Sequence, residues 1–313
     1  LWKIMEKFGC PKIFIKIIRE LHDGMTAHVS DNGETSESFP VTNGVKQGCV
    51  LAPTLFSLMF SAMMSDAFRP ERPGLDIRVR TDAGLFNLSR FKAKTKTQIS
   101  RVCEMLFADD CALNSKNQTD MQHCLDLFST ACTDFGLTIS TKKTEVMFQP
   151  APGEPHHHPV FNVNNQQLNS VDCFTYLGSN LSRCIHIDDE VSARIAKASS
   201  AFGRLRSTVW ERQGIQTSTK LLVYKAVVLT SLLYSAESWT VYRRHEKKMN
   251  RFHLNCLSKL LHIHWRDKIP DTEVLTRAKS ERIPGILKKT QLRWAGHVSR
   301  IGLYTGFRYF DCT

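Results

Sequence analysis

Residues 104–114 read EMLFADDCALN, two short apolar runs with two adjacent aspartates between them. Few local folds suit that pattern. Two strand-like runs this close together join as a tight antiparallel hairpin, which puts Asp109 and Asp110 at its tip. Two carboxylates side by side repel each other, and an apolar setting makes each costly to ionise. A solvated turn relieves this with water, and a metal site relieves it with divalent cations. Two hard cations about 4 Å apart on such oxygens suit in-line phosphoryl transfer. The tetrapeptide FADD alone leaves both readings open. A second pair, Asp188-Asp189, is read as the cap of a helix beginning near Glu190.

Around the hairpin, helix and strand patterns alternate. Leu1, Ile4, Met5 and Phe8 step at helical spacing with no cap residue in front, so the chain is expected to open inside a helix, as a fragment would. Residues 11–22 predict a second helix, and 27–30 with 39–42 predict short strands around a polar turn at Asp31-Asn32-Gly33. Gly44, Gly48 and Pro53 mark a loop that leads into an apolar helix over 54–67. Ile77 and Val79 alternate ahead of a Thr81-Asp82-Ala83-Gly84 turn, and the six basic residues from Arg78 to Lys96 predict a basic surface hairpin. Residues 120–135 predict an amphipathic helix with Met121, Cys124, Leu125, Phe128 and Cys132 on one face. Strands are expected at 137–139, at 145–148 and near Phe161 and Phe174, with PAPGEPHHHP at 150–159 as a loop. The fold class is α+β.

Beyond residue 182 the periodicity is helical throughout. Val191, Ile195, Ala198, Phe202, Leu205 and Val209 form one apolar face, and Arg194, Lys197, Arg204 and Arg206 are read as its basic outer side. Residues 218–236 predict a more buried helix, and 243–261 a third, with Met249, Phe252, Cys256 and Leu260 inward and Lys247, Lys248 and Arg251 on the polar side. Charge changes at the same place. Up to Ser182 there are 18 Lys+Arg against 19 Asp+Glu, and after it 24 against 11, so −1 gives way to +13. A one-sided basic excess points to a polyanionic partner.

The ten cysteines are scattered with no Cys-x-x-Cys, and are expected as reduced, mostly buried thiols of an intracellular protein. No signal peptide or membrane span is expected, since the longest apolar stretch, 221–234, is short and carries Lys225. Nuclear and cytoplasmic locations both stay open. His156 to His158 read as a solvated run. His253, Cys256, His262 and His264 lack clean zinc-site spacing and read as core and surface residues.

FADD at 107–110 resembles the metal-binding box of reverse transcriptases. GVKQGCVLAPTLF at 44–56 resembles the preceding box in the enzymes of non-LTR (LINE-like) retrotransposons. GLTISTKKT at 136–144 resembles the next box, with Ser140 where many members carry Asn, and YLG at 176–178 resembles the primer-grip turn. LRWAGHVSRI at 292–301 is similar to the end of such reading frames, while YTGFRYFDCT at 304–313 matches nothing in the pattern.

The resemblance covers nearly the whole chain. It implies a partial right-hand polymerase palm over 1–182, an antiparallel sheet with helices, followed by a helical basic thumb and C-terminal region over 183–313. It implies RNA-directed DNA polymerase chemistry by two-metal nucleotidyl transfer, with Asp109 and Asp110 as ligands to two Mg²⁺ or Mn²⁺ ions. RNA template, DNA primer and deoxynucleoside triphosphates would be the partners. Gly48 would let backbone approach a base pair closely, and Gln47 would hydrogen-bond template or incoming nucleotide; the alternative is a glycine turn ahead of Pro53. Phe107, Ala108, Tyr176 and Gly178 complete the implied substrate and template contacts. Lys143 would meet the triphosphate and act as general acid to the leaving group; the alternatives are a solvated turn lysine and its neighbour Lys142.

The family's third carboxylate lies on a strand preceding the helix that opens this chain. No acid before Gly44 replaces it: Glu6 and Glu20 fall on expected helices, Asp23 follows one, and Asp31, Glu34 and Glu37 lie in a polar loop. The isolated chain is therefore expected to be an inactive fragment or a non-catalytic nucleic-acid binder.

Overall fold

The computed structural model describes all residues except 43, 46–47, 69–73, 81–96, 151–154, 156, 184–185 and 305–313. The chain divides into two compact units, Leu1–Ser170 and Val171–Thr313. The charge step follows this division too: 18 basic against 18 acidic residues in the first unit, 24 against 12 in the second.

The first unit mixes helices with short ladders. Helices α1 (Trp2–Lys7) and α2 (Lys12–His22) pack on α3 (Ala52–Ala67) through Met5, Ile18 and Leu55. Pro53 sits in the first turn of α3, where its missing N–H removes no helical hydrogen bond. Helix α4 (Gln118–Asp134) starts at Asn117, whose Oδ1 accepts the backbone N–H of Asp120 at 2.7 Å. The apolar face of α2 that carries Ile13, Phe14, Ile17 and Leu21 remains exposed.

Strand pairs among the described residues are short. β1 (Thr26–Ala27) pairs with β4 (Phe39–Pro40), and β2 (Ser30–Asp31) with β3 (Glu34–Thr35). β5 (Leu75–Arg80) and β6 (Thr97–Val102) pair antiparallel, and the expected turn at 81–84 with the basic residues up to Lys96 lies outside the described residues. β7 (Glu104–Phe107) pairs with β8 (Asp110–Leu113). β9 (Glu145–Val146) runs parallel to β12 (Asn169–Ser170), and β10 (Asn162–Val163) pairs antiparallel with β11 (Gln166–Gln167). The strand expected at 137–139 does not form. Leu137 and Ile139 instead turn their side chains into an apolar cluster, so their alternation marks burial and not pairing.

The second unit begins at Val171 and opens with the hairpin β13 (Cys173–Tyr176) and β14 (Ser179–Ser182), ahead of its first helix at Asp188. Then come α5 (Asp188–Arg204), a π turn at Arg206–Trp210, α6 (Thr217–Val223), a second π turn at Tyr224–Leu229 and α7 (Thr230–Leu232). Helices α8 (Arg243–Leu260), α9 (Asp271–Arg277) and α10 (Ile283–Tyr304) follow. Val191, Ala198, Tyr224, Val228, Leu232, Met249, Leu257 and Ile283 form its core.

Two expectations for α5 need correction. Asp188 and Asp189 lie within its first turn and do not cap it; Asp188 accepts hydrogen bonds from His245 Nε2 at 2.8 Å and Arg244 Nη2 at 2.6 Å. Arg194 is not on an outer basic side: it is 5% exposed, because Glu190 one turn earlier neutralises it in the interior. Of the eight described cysteines, Cys124, Cys132 and Cys256 are buried, whereas Cys49 and Cys173 are exposed; the remaining three are half-buried. No helix among the described residues is long and apolar enough to cross a membrane.

Candidate metal and nucleic-acid site

The β7–β8 hairpin closes with Phe107 opposite Asp110, leaving Ala108 and Asp109 as the two turn residues. Ala108 has φ of +51°, a left-handed conformation that costs a residue with a Cβ roughly 1–2 kcal/mol. Such strain persists where the surroundings fix it, and it is concentrated at functional positions. Phe107, Ala108, Asp109 and Asp110 are all exposed, so both carboxylates are presented to solvent and to any ligand.

What anchors the hairpin is its far side. Cys111 and Leu113 pack against the cluster of Met63, Met64, Phe68, Cys124 and Cys132, and Leu137 and Ile139 join the same cluster. Residues following the 44–56 segment, the FADD hairpin and the 136–144 segment thus share one core. Burial pushes the Cys111 thiol up to about 12, with Glu104 adding to the effect, so it stays protonated beside the aspartates. The donors available at the tip are therefore carboxylate oxygens, the hard ligands that Mg²⁺ and Mn²⁺ take, and Mg²⁺ is commonly held by one or two carboxylates together with substrate phosphates. Among the described residues no group of three His, Cys, Asp or Glu side chains comes together around a metal position.

Gly48 is exposed with φ of +85°, and Gly44 has φ of +90°, both in the left-handed region glycine tolerates. Gln47 lies outside the described residues. Lys143 is exposed in a turn closed by its own N–H and that of Thr144, both donating to the Ser140 carbonyl, at 2.9 and 3.0 Å. Lys142 is equally exposed, so the structure leaves both ammonium groups available.

Tyr176 and Gly178 belong to the second unit, where Leu177-Gly178 forms the turn between Tyr176 and Ser179. Both turn residues have positive φ, +48° and +80°, as a two-residue hairpin turn requires. Leucine is a poor choice for the first position, and three side chains constrain it. Tyr234 Oη donates to the Leu177 carbonyl at 3.0 Å, while Arg194 Nη2 and Lys197 Nζ donate to the Gly178 carbonyl at 2.6 and 3.3 Å. Beside the turn lies a groove of about 730 Å³ lined by Tyr176, Leu181, Leu229, Leu233, Tyr234 and Ile286.

Sequence reading gave Tyr234 no role, took Glu190 only as a helix start and put Arg194 on the outer side. The available signal was the Glu-x-x-x-Arg spacing, which places opposite charges on one helical face. On α8, Lys247, Lys248 and Arg251 are exposed as expected. His253 sits in the core against Tyr224, whose Oη donates to its Nδ1 at 2.8 Å. His156 lies outside the described residues, and His158 Nδ1 is 3.1 Å from Ser170 Oγ.

A family model described as reverse transcriptase (RNA-dependent DNA polymerase) matches residues 1–181. A transposon-derived protein of Caenorhabditis elegans is 26% identical over 200 residues, covering 62% of this chain and 70% of that protein. RNA-directed DNA polymerases from the mobile element jockey are similar over more of the chain. The Drosophila melanogaster protein is 21% identical over 84% of this chain and 26% of its own length, and that of Drosophila funebris 22% over 95% and 30%. The chain thus spans less than a third of the jockey polymerases. With the family model running through all four segments singled out above, the chain belongs to the reverse transcriptase (RNA-dependent DNA polymerase) family.

Proposed function

We propose that this chain is the palm and thumb portion of an RNA-directed DNA polymerase of a non-LTR retrotransposon. It holds an RNA template and DNA primer and presents Asp109 and Asp110 to Mg²⁺ or Mn²⁺. The observation that carries this reading is the FADD hairpin: two exposed carboxylates on a strained tip, anchored by a core shared with the neighbouring segments. Bound there, divalent ions would activate the primer 3′-hydroxyl and stabilise the pyrophosphate leaving group. The chain's own contributions are to orient the carboxylates through the β7–β8 ladder, to offer Lys143 to the triphosphate, to support the primer end on the Tyr176–Gly178 turn and to hold phosphates with α8.

Among the described residues no third ligand joins Asp109 and Asp110, which favours a second reading, in which this chain holds nucleic acid but does not extend it alone. Both readings make the same binding prediction. Each phosphate contact lowers log K by about 0.9 per decade of salt, so four contacts cost roughly a hundredfold for a fourfold rise in salt. Fluorescence anisotropy with a labelled RNA·DNA primer–template is expected to show that dependence. Lys247→Glu with Arg251→Glu is expected to weaken binding at least tenfold at low salt. A flat salt response would contradict both readings. Primer extension run in parallel separates them: extension lost in Asp109→Ala, Asp110→Ala supports catalysis by this chain, and binding without extension supports the second reading.

A further inference from the structure

The Tyr176–Gly178 turn is held in a way its own sequence does not require. Its two carbonyls receive three side-chain donors: Tyr234 Oη on Leu177, and Arg194 Nη2 and Lys197 Nζ on Gly178. Behind them lies a second layer. Arg194 Nε donates to Glu190 Oε1 at 2.7 Å, and Glu190 Oε2 accepts the backbone N–H of Asn180 at 2.8 Å, on the strand leaving the turn. The Arg194 guanidinium also lies 4.5 Å from the centre of the Tyr234 ring. Glu190 and Arg194 are 4% and 5% exposed.

Burying an ion pair is a weak route to stability, because desolvation offsets much of the attraction, and an apolar pair of similar size often serves as well. An apolar pair would, however, leave the Gly178 carbonyl and the Asn180 N–H without these partners. What the charges add is directional: they fix the backbone of a turn whose Leu177 sits in the left-handed region.

We propose that Glu190, Arg194 and Tyr234 are positioning residues that hold the Tyr176–Gly178 turn in register to support the 3′ end of a primer strand. This rests on the reading of that turn as the primer support. The residues act through the turn; none of them is assigned a contact with the reacting atoms.

The test uses the full chain and two probes of the same duplex sequence, one with a recessed 3′-hydroxyl and one blunt. Tyr234→Phe keeps the ring that faces Arg194 and removes only the donor to Leu177. The wild-type chain is expected to prefer the recessed 3′ end by about tenfold, a modest specific contact. Tyr234→Phe is expected to bring that preference within twofold while the thermal midpoint is unchanged and affinity for the blunt probe stays within twofold of wild type. Glu190→Gln, which keeps the acceptor for Asn180 but drops the charge, is expected to fall between the two. A wild-type preference retained in Tyr234→Phe would overturn the positioning role and leave the primer-support reading standing. No wild-type preference, with both probes bound, would overturn the primer-support reading and the positioning role with it.

Discussion

Arg194→Ala is expected to destabilise the second unit by about 3–5 kcal/mol, the usual cost of removing one partner from a buried ion pair. The loss arises mainly from what remains. Glu190 is 4% exposed and its carboxylate keeps one backbone donor, Asn180 N–H, in place of a cation. Among the described residues the Gly178 carbonyl then retains Lys197, at 3.3 Å, and the Tyr234 ring loses the guanidinium above it. Urea unfolding followed by tryptophan fluorescence measures this directly, because Trp210 and Trp239 are buried in the second unit. The double change Glu190→Leu, Arg194→Met is expected to recover most of the loss, since it removes the stranded charge. An Arg194→Ala loss below about 1 kcal/mol would mean that the pair is solvated in solution.

The second large effect is an acid sensitivity set by His253. Its side chain is fully buried; Nδ1 accepts from Tyr224 Oη at 2.8 Å and Nε2 donates to the Glu281 carbonyl at 3.2 Å. That pattern fits one neutral tautomer. Burial lowers its pKa from 6.5 to about 4, with Lys225 acting in the same direction and the Glu281 hydrogen bond opposing. The unfolded chain therefore takes up a proton near pH 6.5 that the folded chain refuses until about pH 4. Stability is fully present above that window and is lost as pH falls through it, by about 3 kcal/mol at most. Asp188 does not confuse the measurement: His245 first, with Arg244, holds its carboxyl below the ordinary 3.8, so its contribution fades only beneath the window. Urea midpoints of the second unit are expected to fall steadily between about pH 7 and pH 4.5, and His253→Gln is expected to flatten that slope. Equal slopes in both proteins would assign the sensitivity elsewhere.

These two sites also show what the sequence does and does not disclose. The FADD hairpin is legible because an apolar run broken by two carboxylates has one economical local fold, and the ladder from Glu104–Leu113 to Phe107–Asp110 follows that pattern. The core faces of α4 and α8 are legible from helical spacing for the same reason. Arg194 is not, because periodicity sorts residues by polarity, and a charge one turn from its partner is polar in sequence yet interior in structure. The missing ladder at 137–139 is the converse case: alternation records which side chains are buried and is silent on whether a neighbouring strand supplies hydrogen bonds. The π turns at Arg206–Trp210 and Tyr224–Leu229 escape notice since one widened turn barely changes the apolar spacing. Tyr234 is hidden in a different way, as its partner at Leu177 lies 57 residues away along the chain.

The measurement that bears most directly on the metal-site reading is a Mn²⁺ titration of the chain bound to an RNA·DNA primer–template, followed by electron paramagnetic resonance, in wild type and in Asp109→Asn, Asp110→Asn. The side-chain amides keep the size of the carboxylates and remove both charges. Mn²⁺ affinity is expected to fall at least tenfold in the variant while primer–template affinity stays within about twofold. Equal Mn²⁺ binding in the two proteins would contradict the assignment of the hairpin tip as the metal site.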